Sequence, residues 1–532
     1  MIRIFLLCVL MFTGCQTSRP CSKEQILRVN IGADPITLDP RKARDLTSVT
    51  LAGMFFEGLM RNAKDGALEP ALAESVETSN DGLQYRFHLR KSHWSNGDVV
   101  TSFDFAESWR TVLDPQFPTD MAYQLYGIKN AKKAKQGEIS LAQVGIFTPD
   151  PQTLVVELEH PMPYFLQLLT MSTFLPVPHK VASKDANWFL KPETFVGNGP
   201  FLLKEWKHSD QINAIKNSSY WQQSDVRLTK LELVMMGNDT EVQMFQEGHL
   251  DWAGSPLSTM PVDAVRSLKA KKELCVSPFL ATYFFRVNTS EQIQGKKNPL
   301  SSSSFRRALG LALERLAITD NVLQGGQTPA KGLVPPELGL SATGYFQDDA
   351  KQAQSLLTDA LLELDLTLDK LEPIRISFAS SERNAAVAQA VQQQLEKNLK
   401  IKVELAALEP KTYFQKVANK EYQLAAGSWT ADFSDPINFL DVFKYKDKST
   451  NNTNWESSKY IDLLNQSEIC KDQKERIGIL REAEQVLMEQ MPIIPVFHFA
   501  LNYLKRPDLE DVALSPLGKI DFRWAHVSTD SR

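Results

Sequence analysis

The pattern of apolar and polar residues predicts a chain in which strands and helices alternate. Segments with the two-residue period of a half-buried strand are Leu27–Ile31, Gln84–Leu89, Thr153–Glu159, Phe201–Trp206 and Ile212–Lys216. Asn96-Gly97-Asp98 is the strongest turn signal. Thr101 and Asp104 come just after it and predict the capped start of a helix.

The second half of the chain has the clearest pattern. Strands are predicted over Ile374–Phe378, Ile401–Leu408 and Tyr422–Ala426, and helices over Arg383–Asn398 and Thr412–Ala418. Thr412 is the predicted N-cap of the second of these helices. The first strand, the long helix and the next strand predict a βαβ unit with parallel strands. The body is therefore predicted to be an α/β protein.

The first 15 residues predict a signal for export. Arg3 precedes the apolar run Ile4–Phe12, and small residues follow it. The run is too short to form a membrane-spanning helix. Phe12-Thr13-Gly14-Cys15 resembles the bacterial lipobox, in which the cysteine is lipidated, although Phe12 stands where leucine is usual. We therefore predict lipidation at Cys15 and a polar tether over residues 16–26. A simple cleaved signal with an incidental cysteine is the alternative.

Composition and charge narrow the class of protein. The 532 residues are 43% hydrophobic and 23% charged, which is ordinary for a soluble globular chain of about three domains. The formal net charge is −5, so no basic excess is available for binding nucleic acid. Only Cys275 and Cys470 lie beyond the first 21 residues. Spacing does not decide whether these two cysteines form a disulfide.

The sequence carries no recognisable catalytic motif. It has no Walker loop, no dinucleotide-binding glycine pattern and no Gly-x-Ser-x-Gly elbow. It also has no His-Glu-x-x-His and no Cys-x-x-Cys. We therefore predict that the protein is not an enzyme and that it uses neither a cofactor nor a metal ion.

Several phrases in order along the chain resemble those of the family 5 extracellular solute-binding proteins. The longest are Asp81–Arg90 and Trp94–Phe105. The others are Thr37–Pro40, Phe56–Leu59, Val196–Phe201, Ser304–Leu309, Trp429–Pro436 and Met491–Val496. Together they extend over the body of the chain, and on them the protein is identified as a member of this family.

The resemblance implies a bilobed periplasmic-binding-protein fold of the Venus-flytrap type with an additional accessory domain. Lobe I is expected to comprise residues 27–45, 196–275 and 497–532, the accessory domain residues 46–195, and lobe II residues 276–496. The implied function is to capture oligopeptides between the lobes and deliver them to the membrane permease of an ABC transporter. The chain is expected to be a periplasmic monomer held at a bacterial membrane by lipid at Cys15.

The resemblance also implies which residues bind the ligand. Asp432 is the expected partner of the α-amino group of the peptide, since a buried cation needs a counter-charge. Trp429 is expected to line a side-chain pocket. The peptide is expected to add as a strand to main-chain groups of Gly427, Ser428, Thr430 and Ala431. A helix cap is the competing role for Asp432, although Asp435 suits that role better.

The opposing lobe is expected to contribute main-chain groups near Arg44 and Leu46, and the accessory domain the aromatic residues Tyr123 and Tyr126. The sequence departs from the family pattern at two positions of the Trp429 phrase. Ala426 stands where relatives often carry an arginine that meets the carboxylate of short peptides, and Ser428 replaces a glycine. Two alternatives stay open: another small solute such as nickel, haem or a dipeptide, and an exported peptidase.

Overall fold

The structure is a computed structural model that describes residues 25–341 and 343–528. The predicted signal, Cys15 and most of the tether lie outside the described residues. The strands are β1 Ile26–Asn30, β2 Met60–Asn62, β3 Leu68–Pro70, β4 Ala73–Thr78, β5 Gln84–Leu89, β6 Ile146–Asp150, β7 Thr153–Glu157, β8 Phe201–Lys207, β9 Gln211–Lys216, β10 Lys230–Val234, β11 Trp252–Gly254, β12 Cys275–Val287, β13 Gln292–Ile293, β14 Lys296–Lys297, β15 Thr328–Pro329, β16 Ile374–Ala379, β17 Val403–Leu408, β18 Leu424–Thr430, β19 Ile493–Lys505, β20 Leu509–Glu510, β21 Ala513–Leu514, β22 Ile520–Asp521 and β23 His526–Val527.

Helices cover both faces of the sheets. They are α1 Leu46–Phe55, α2 Ser102–Leu113, α3 Ala131–Lys135, α4 Phe165–Leu168, α5 His179–Ala182, α6 Asn238–Gln246, α7 Val262–Ala270, α8 Ser303–Leu311, α9 Arg315–Ala317, α10 Ala350–Glu363, α11 Glu382–Leu399, α12 Pro410–Ala418, α13 Ile437–Leu440, α14 Ser458–Ile469 and α15 Gln473–Gln490. No helix of the described ranges is long and apolar enough to span a membrane.

The main sheet is mixed and has the strand order β17-β16-β18-β12-β19-β11-β1-β10-β9-β8, with β15 added beside β19. Two long strands in its centre, β12 and β19, join its halves. β18 pairs with residues 281–287 of β12, whereas β11 pairs with residues 503–505 of β19. The pairing of β12 with β19 is irregular between Pro278 and Thr282. We call the part from β11 to β8 the first half of the main sheet and the part from β17 to β18 the second half.

The hydrophobic cores follow this division. One large buried cluster covers the first half of the main sheet and continues into the antiparallel sheet β4-β5-β7-β6 and helix α2. Two further clusters lie on either side of the second half, one centred on Phe285 and Ile376 and the other on Phe284 and Leu440. The second half is thus covered on both faces, as strands of an α/β sheet require.

Most of the predicted elements are confirmed. The βαβ unit consists of β16, α11 and β17, and its strands are parallel. The capping box of Thr101 and Asp104 starts α2, with Thr101 N–H donating to Asp104 Oδ2 over 2.8 Å. The strands predicted over Phe201–Trp206 and Ile212–Lys216 are β8 and β9, which form an antiparallel pair.

The structure corrects two predicted element boundaries. It also answers whether the two cysteines of the body form a disulfide. Glu409, not Thr412, caps α12, because Pro410 occupies the first helical turn and the Glu409 carboxylate accepts from the next two N–H groups. β18 begins at Leu424 and continues to Thr430, four residues beyond the predicted end. Cys275 and Cys470 are both free thiols.

Candidate functional site

The end of β18 has one open edge. β12 pairs with β18 along its whole length, whereas β16 pairs with it only at Leu424 and Ala425. The Tyr413 hydroxyl donates to the Ala426 carbonyl on that side. Beyond Ala426, the edge has no strand partner in the described part of the sheet.

Strand alternation shows which backbone groups face this open edge. Ala431 N–H donates to the Leu280 carbonyl of β12 over 2.8 Å, so the backbone groups of Trp429 and Gly427 also point toward β12. The N–H and C=O groups of Ser428 and Thr430 therefore point outward, and both side chains are exposed. A second extended chain can pair with these two residues.

Asp432 lies in the turn just beyond this edge, and Asn438 fixes its position. The Asn438 Oδ1 accepts from Trp429 Nε1 over 3.0 Å and from the Asp432 N–H over 3.3 Å. No cation of the described residues lies within ion-pair distance of the Asp432 carboxylate. Burial raises the pKa of Asp432, while its hydrogen bond with Asn438 and the charge of Lys519 oppose that rise.

Asp435, three residues further on, has a different environment. Its carboxylate forms a bidentate pair with the Arg476 guanidinium, at 2.7 and 2.8 Å, and both side chains are buried. The same carboxylate accepts from Ile437 N–H at the start of α13 over 2.9 Å. Of the two candidate caps, Asp435 is therefore the one that supports the helix, and Asp432 is left without a structural partner of this kind.

A cavity of about 770 Å³ brings several predicted residues together. Its lining includes Trp429, Asp432 and Phe433 from the segment after β18, together with Tyr123 and Tyr126. The ring of Phe433 stacks on that of Tyr164 with 5.0 Å between centroids, and both residues line the cavity. Partial burial and the nearby negative charge of Asp432 raise the pKa of Tyr123.

The structure does not bring Arg44 and Leu46 to this cavity. Arg44 is exposed and its guanidinium pairs with Asp120 over 2.6 Å. Leu46 is 48% exposed and borders a separate cavity of about 110 Å³. In this arrangement these residues and β18 do not share a site.

Sequence analysis missed Lys519, which lies in the turn between the hairpin strands β21 and β22 and lines the smaller cavity that Leu46 borders. Its ammonium donates to the carbonyl and hydroxyl oxygens of Thr170 at 3.2 and 3.4 Å. Burial lowers the pKa of Lys519 to about 8, although the charge of Asp432 acts in the opposite direction. The hairpin is fixed to the site because Leu280 N–H donates to the Pro516 carbonyl, and Leu280 is also the partner of Ala431.

The main sheet has two halves that are connected by the long paired strands β12 and β19, and a polar site lies at the end of one half. This arrangement defines a bilobed binding-protein fold. Comparison with known proteins agrees. The model of the bacterial extracellular solute-binding proteins, family 5 (middle), matches residues 67–451, so this chain belongs to that family.

Three relatives give the comparison detail. The chain is 38% identical to the oligopeptide-binding protein OppA of Bacillus subtilis, over 94% of this chain and 92% of that protein. The unliganded open form of the periplasmic murein tripeptide-binding protein MppA superposes with a TM-score of 0.83, at 26% identity and over 95% of this chain and 98% of that one. OppA of Haemophilus influenzae in complex with the peptide RPPGFSPFR gives a TM-score of 0.73, at 28% identity and over 95% and 99%. The TM-score is thus higher for the unliganded open form than for the peptide complex.

Proposed function

We propose that this protein is the extracytoplasmic peptide-binding component of an ABC importer, which captures oligopeptides between two lobes and delivers them to a permease. The observation that carries the proposal is the Asp432 carboxylate, which has no ion-pair partner in the described part of the chain and lies beside an open strand edge. Such an edge binds any extended peptide through its main chain. The carboxylate supplies the charge that a peptide ammonium needs when it leaves water.

The contacts of the site support one orientation of the peptide. The peptide backbone pairs with the outward groups of Ser428 and Thr430, and its α-amino group meets Asp432. Trp429 and the aromatic residues Tyr123 and Tyr126 border the space for side chains. Since main-chain pairing is indifferent to side chains, the protein accepts many sequences.

Closure of the lobes completes the site in this proposal. The predicted boundaries assign the first half of the main sheet to lobe I, the second half to lobe II and the four-stranded sheet to the accessory domain. Rotation about the central parts of β12 and β19 then carries the segment near Arg44 and Leu46 toward β18. The closed form buries the peptide and is what the permease recognises.

The proposal includes the location and the chemistry of the protein. The chain is exported, is lipidated at Cys15, acts as a monomer and performs no reaction on its ligand. Replacing Cys15 by alanine is expected to move the protein from the membrane fraction to the soluble exported fraction. A wild-type protein that carries no lipid by mass would overturn the anchoring part alone.

A mixed peptide pool tests the function directly. The protein is purified under native conditions, incubated with the pool and repurified, and the bound material is identified by mass spectrometry. Intact peptides are expected. Shortened products would indicate a peptidase, and recovery of a non-peptide solute alone would overturn the proposal.

Scattering tests closure separately. A bound peptide is expected to compact the protein and to raise its melting temperature, because a ligand that binds only the folded state stabilises it. Scattering curves that superimpose with and without a bound peptide would contradict closure, but would leave the binding function intact.

A further inference from the structure

Arg286, on the central strand β12 where it pairs with the second half of the main sheet, is a cation without a counter-charge among the described residues. It lies on β12, opposite Ala425 of β18 and Ile493 of β19. Its guanidinium stacks on the Phe284 ring at 5.1 Å from the centroid. Its Nε is enclosed and has no hydrogen-bond partner. The described residues provide the guanidinium with neither an ion pair nor a hydrogen bond.

The arginines that are buried outright behave differently. Most of them pair with carboxylates, and Arg306 donates to three backbone carbonyls. The paired ones are Arg41, Arg61, Arg315, Arg476 and Arg523. Burial lowers the pKa of Arg286, so the guanidinium is partly withdrawn from water without a carboxylate of the described residues to compensate. A desolvated cation of this kind is costly unless an anion reaches it.

Arg286 points toward the open edge of β18. In the antiparallel pair the side chains of Phe284 and Arg286 share a face with the positions of Gly427 and Trp429. The guanidinium lies over Gly427, since a Cβ at residue 427 would be 1.9 Å from Nη1. The side chain thus extends from the level of Ala425 toward Trp429, and Trp429 lines the large cavity.

Gly427 adds no side chain between the guanidinium and the open edge. A peptide strand paired with Ser428 and Thr430 would place alternate side chains on the same face as Arg286. Arginine binds a carboxylate with two parallel hydrogen bonds, and no described residue offers Arg286 such a partner.

We propose that Arg286 forms an anion subsite that receives a carboxylate of the bound peptide. This inference rests on the proposed peptide-binding function. The carboxylate belongs either to an Asp or Glu side chain or to the C-terminus of a short peptide. The subsite makes the protein selective for peptides that place a negative charge at this position.

The test compares matched peptides on matched variants by calorimetry. One series has Glu or Gln at each internal position of a tetra-alanine frame, and a second has a free or an amidated C-terminus. Wild type is expected to bind at least one carboxylate-bearing member tenfold or more tightly than its neutral counterpart. We call this affinity of the charged peptide relative to that of its neutral counterpart the ratio. Arg286→Gln is expected to lower the ratio to about one and to bind the neutral member as wild type does. The series that shows the ratio identifies the source of the carboxylate.

Two further variants keep the result interpretable. Arg90→Gln is the control, because Arg90 also stacks on an aromatic ring, Trp221 at 4.0 Å, and likewise lacks an ion pair; it is expected to keep the ratio. Gly427→Ala pushes the guanidinium aside without removing its charge and is expected to reduce the ratio. Should Arg286→Gln fail to fold, Gly427→Ala decides the question in the same way.

Three results would overturn the subsite. They are a wild-type ratio near one for every pair, a ratio that survives in Arg286→Gln, and an equal loss of affinity for charged and neutral peptides. Binding of peptides without any carboxylate preference leaves the proposed function standing. Failure of wild type to bind any peptide of the series removes both.

Discussion

Asp432 and Asp435 occupy one turn after β18, yet their surroundings are opposite. Asp435 is buried with Arg476 in a bidentate pair, so its charge is neutralised inside the chain. Asp432 is partly withdrawn from water, no cation of residues 25–341 and 343–528 is in contact with it, and burial raises its pKa. The two carboxylates therefore have different uses. A carboxylate that is paired with a cation of the chain stabilises the fold, whereas a carboxylate without such a pair is available to the cation of a ligand.

The largest effect on stability is expected from breaking the ion pair between Asp435 and Arg476. Asp435→Asn leaves the buried Arg476 guanidinium without its counter-charge and should lower the free energy of unfolding by about 3–5 kcal/mol. Urea denaturation of the unliganded protein measures this. The double variant Asp435→Asn/Arg476→Met removes both charges and should recover most of the loss. A change below about 1 kcal/mol in the single variant would mean that the pair contributes little.

Replacement of Asp432, the carboxylate without an ion pair among the described residues, should have the opposite effects: a large loss of peptide affinity and a small loss of stability. Asp432→Asn removes the counter-charge and keeps the shape, so affinity for peptides with a free amino terminus should fall roughly a hundredfold or more. Nα-acetylated peptides should bind the wild type poorly, and the variant should discriminate little between the two forms. Calorimetry with matched peptides decides this. Equal wild-type affinity for both forms would exclude Asp432 as amine anchor and favour a non-peptide solute.

Lys519 tests the comparison of Asp432 with Asp435 further, because its positive charge opposes the rise that burial causes in the pKa of Asp432. Lys519→Met removes a repulsion against the ammonium of the ligand and should tighten binding of free-amine peptides by about 1–2 kcal/mol. Lys133→Met, at an exposed helical position, serves as the control. Weaker binding in Lys519→Met would mean that Lys519 supports the site instead of competing with the ligand.

The same lysine predicts a pH dependence of stability. Its pKa is about 8 in the folded protein against 10.5 for an ordinary lysine, so the unfolded chain binds more protons between these values. The cost of the buried charge is therefore present below pH 8 and is relieved as pH rises to about 10.5. The wild type should gain stability across this window relative to Lys519→Met. Parallel curves for the two proteins would contradict the assignment.

The smallest effect is expected from the hydrogen bond between Trp429 and Asn438. Trp429→Phe keeps an aromatic ring in the cavity wall and removes only the Nε1 donor, while Asn438 still accepts from the Asp432 N–H. The loss of stability should be about 1 kcal/mol, and affinity for free-amine peptides should change less than threefold. A binding loss as large as that of Asp432→Asn would show that the indole itself contacts the ligand.

Local signals predicted much of the fold. The capping box of α2 and the βαβ unit each depend on residues close together in sequence, so periodicity and capping chemistry were sufficient. The end of β18 was missed because Gly427-Ser428-Trp429-Thr430 has no apolar alternation. The segment is a strand because it pairs with residues 281–287 of β12, which are distant from it in the sequence. The start of α12 was misplaced although proline at the first helical position is itself a signal.

The site was predictable only where a phrase of the family covers it. Trp429, Asp432, Tyr123 and Tyr126 border one cavity, as their expected roles require, but those roles stay predictions. Lys519 and Arg286 left no signal in the sequence, since a lone basic residue becomes unusual only when burial and the absence of a carboxylate are known. The pairing of the two central strands β12 and β19 likewise depends on long-range contacts and not on any local pattern.

The two central strands give the chain a modular order. The chain enters the second half of the molecule along β12 and leaves it along β19, and Cys275 lies directly opposite Tyr503. Entry and exit are thus about one strand spacing apart, close enough to be joined by a tight hairpin. Everything between them, Arg286, Trp429 and Asp432 included, forms one contiguous cassette, whereas Tyr123 and Lys519 belong to the frame that receives it. Exchange of this single segment between relatives would transfer the residues proposed to anchor the ligand and leave the surrounding frame in place.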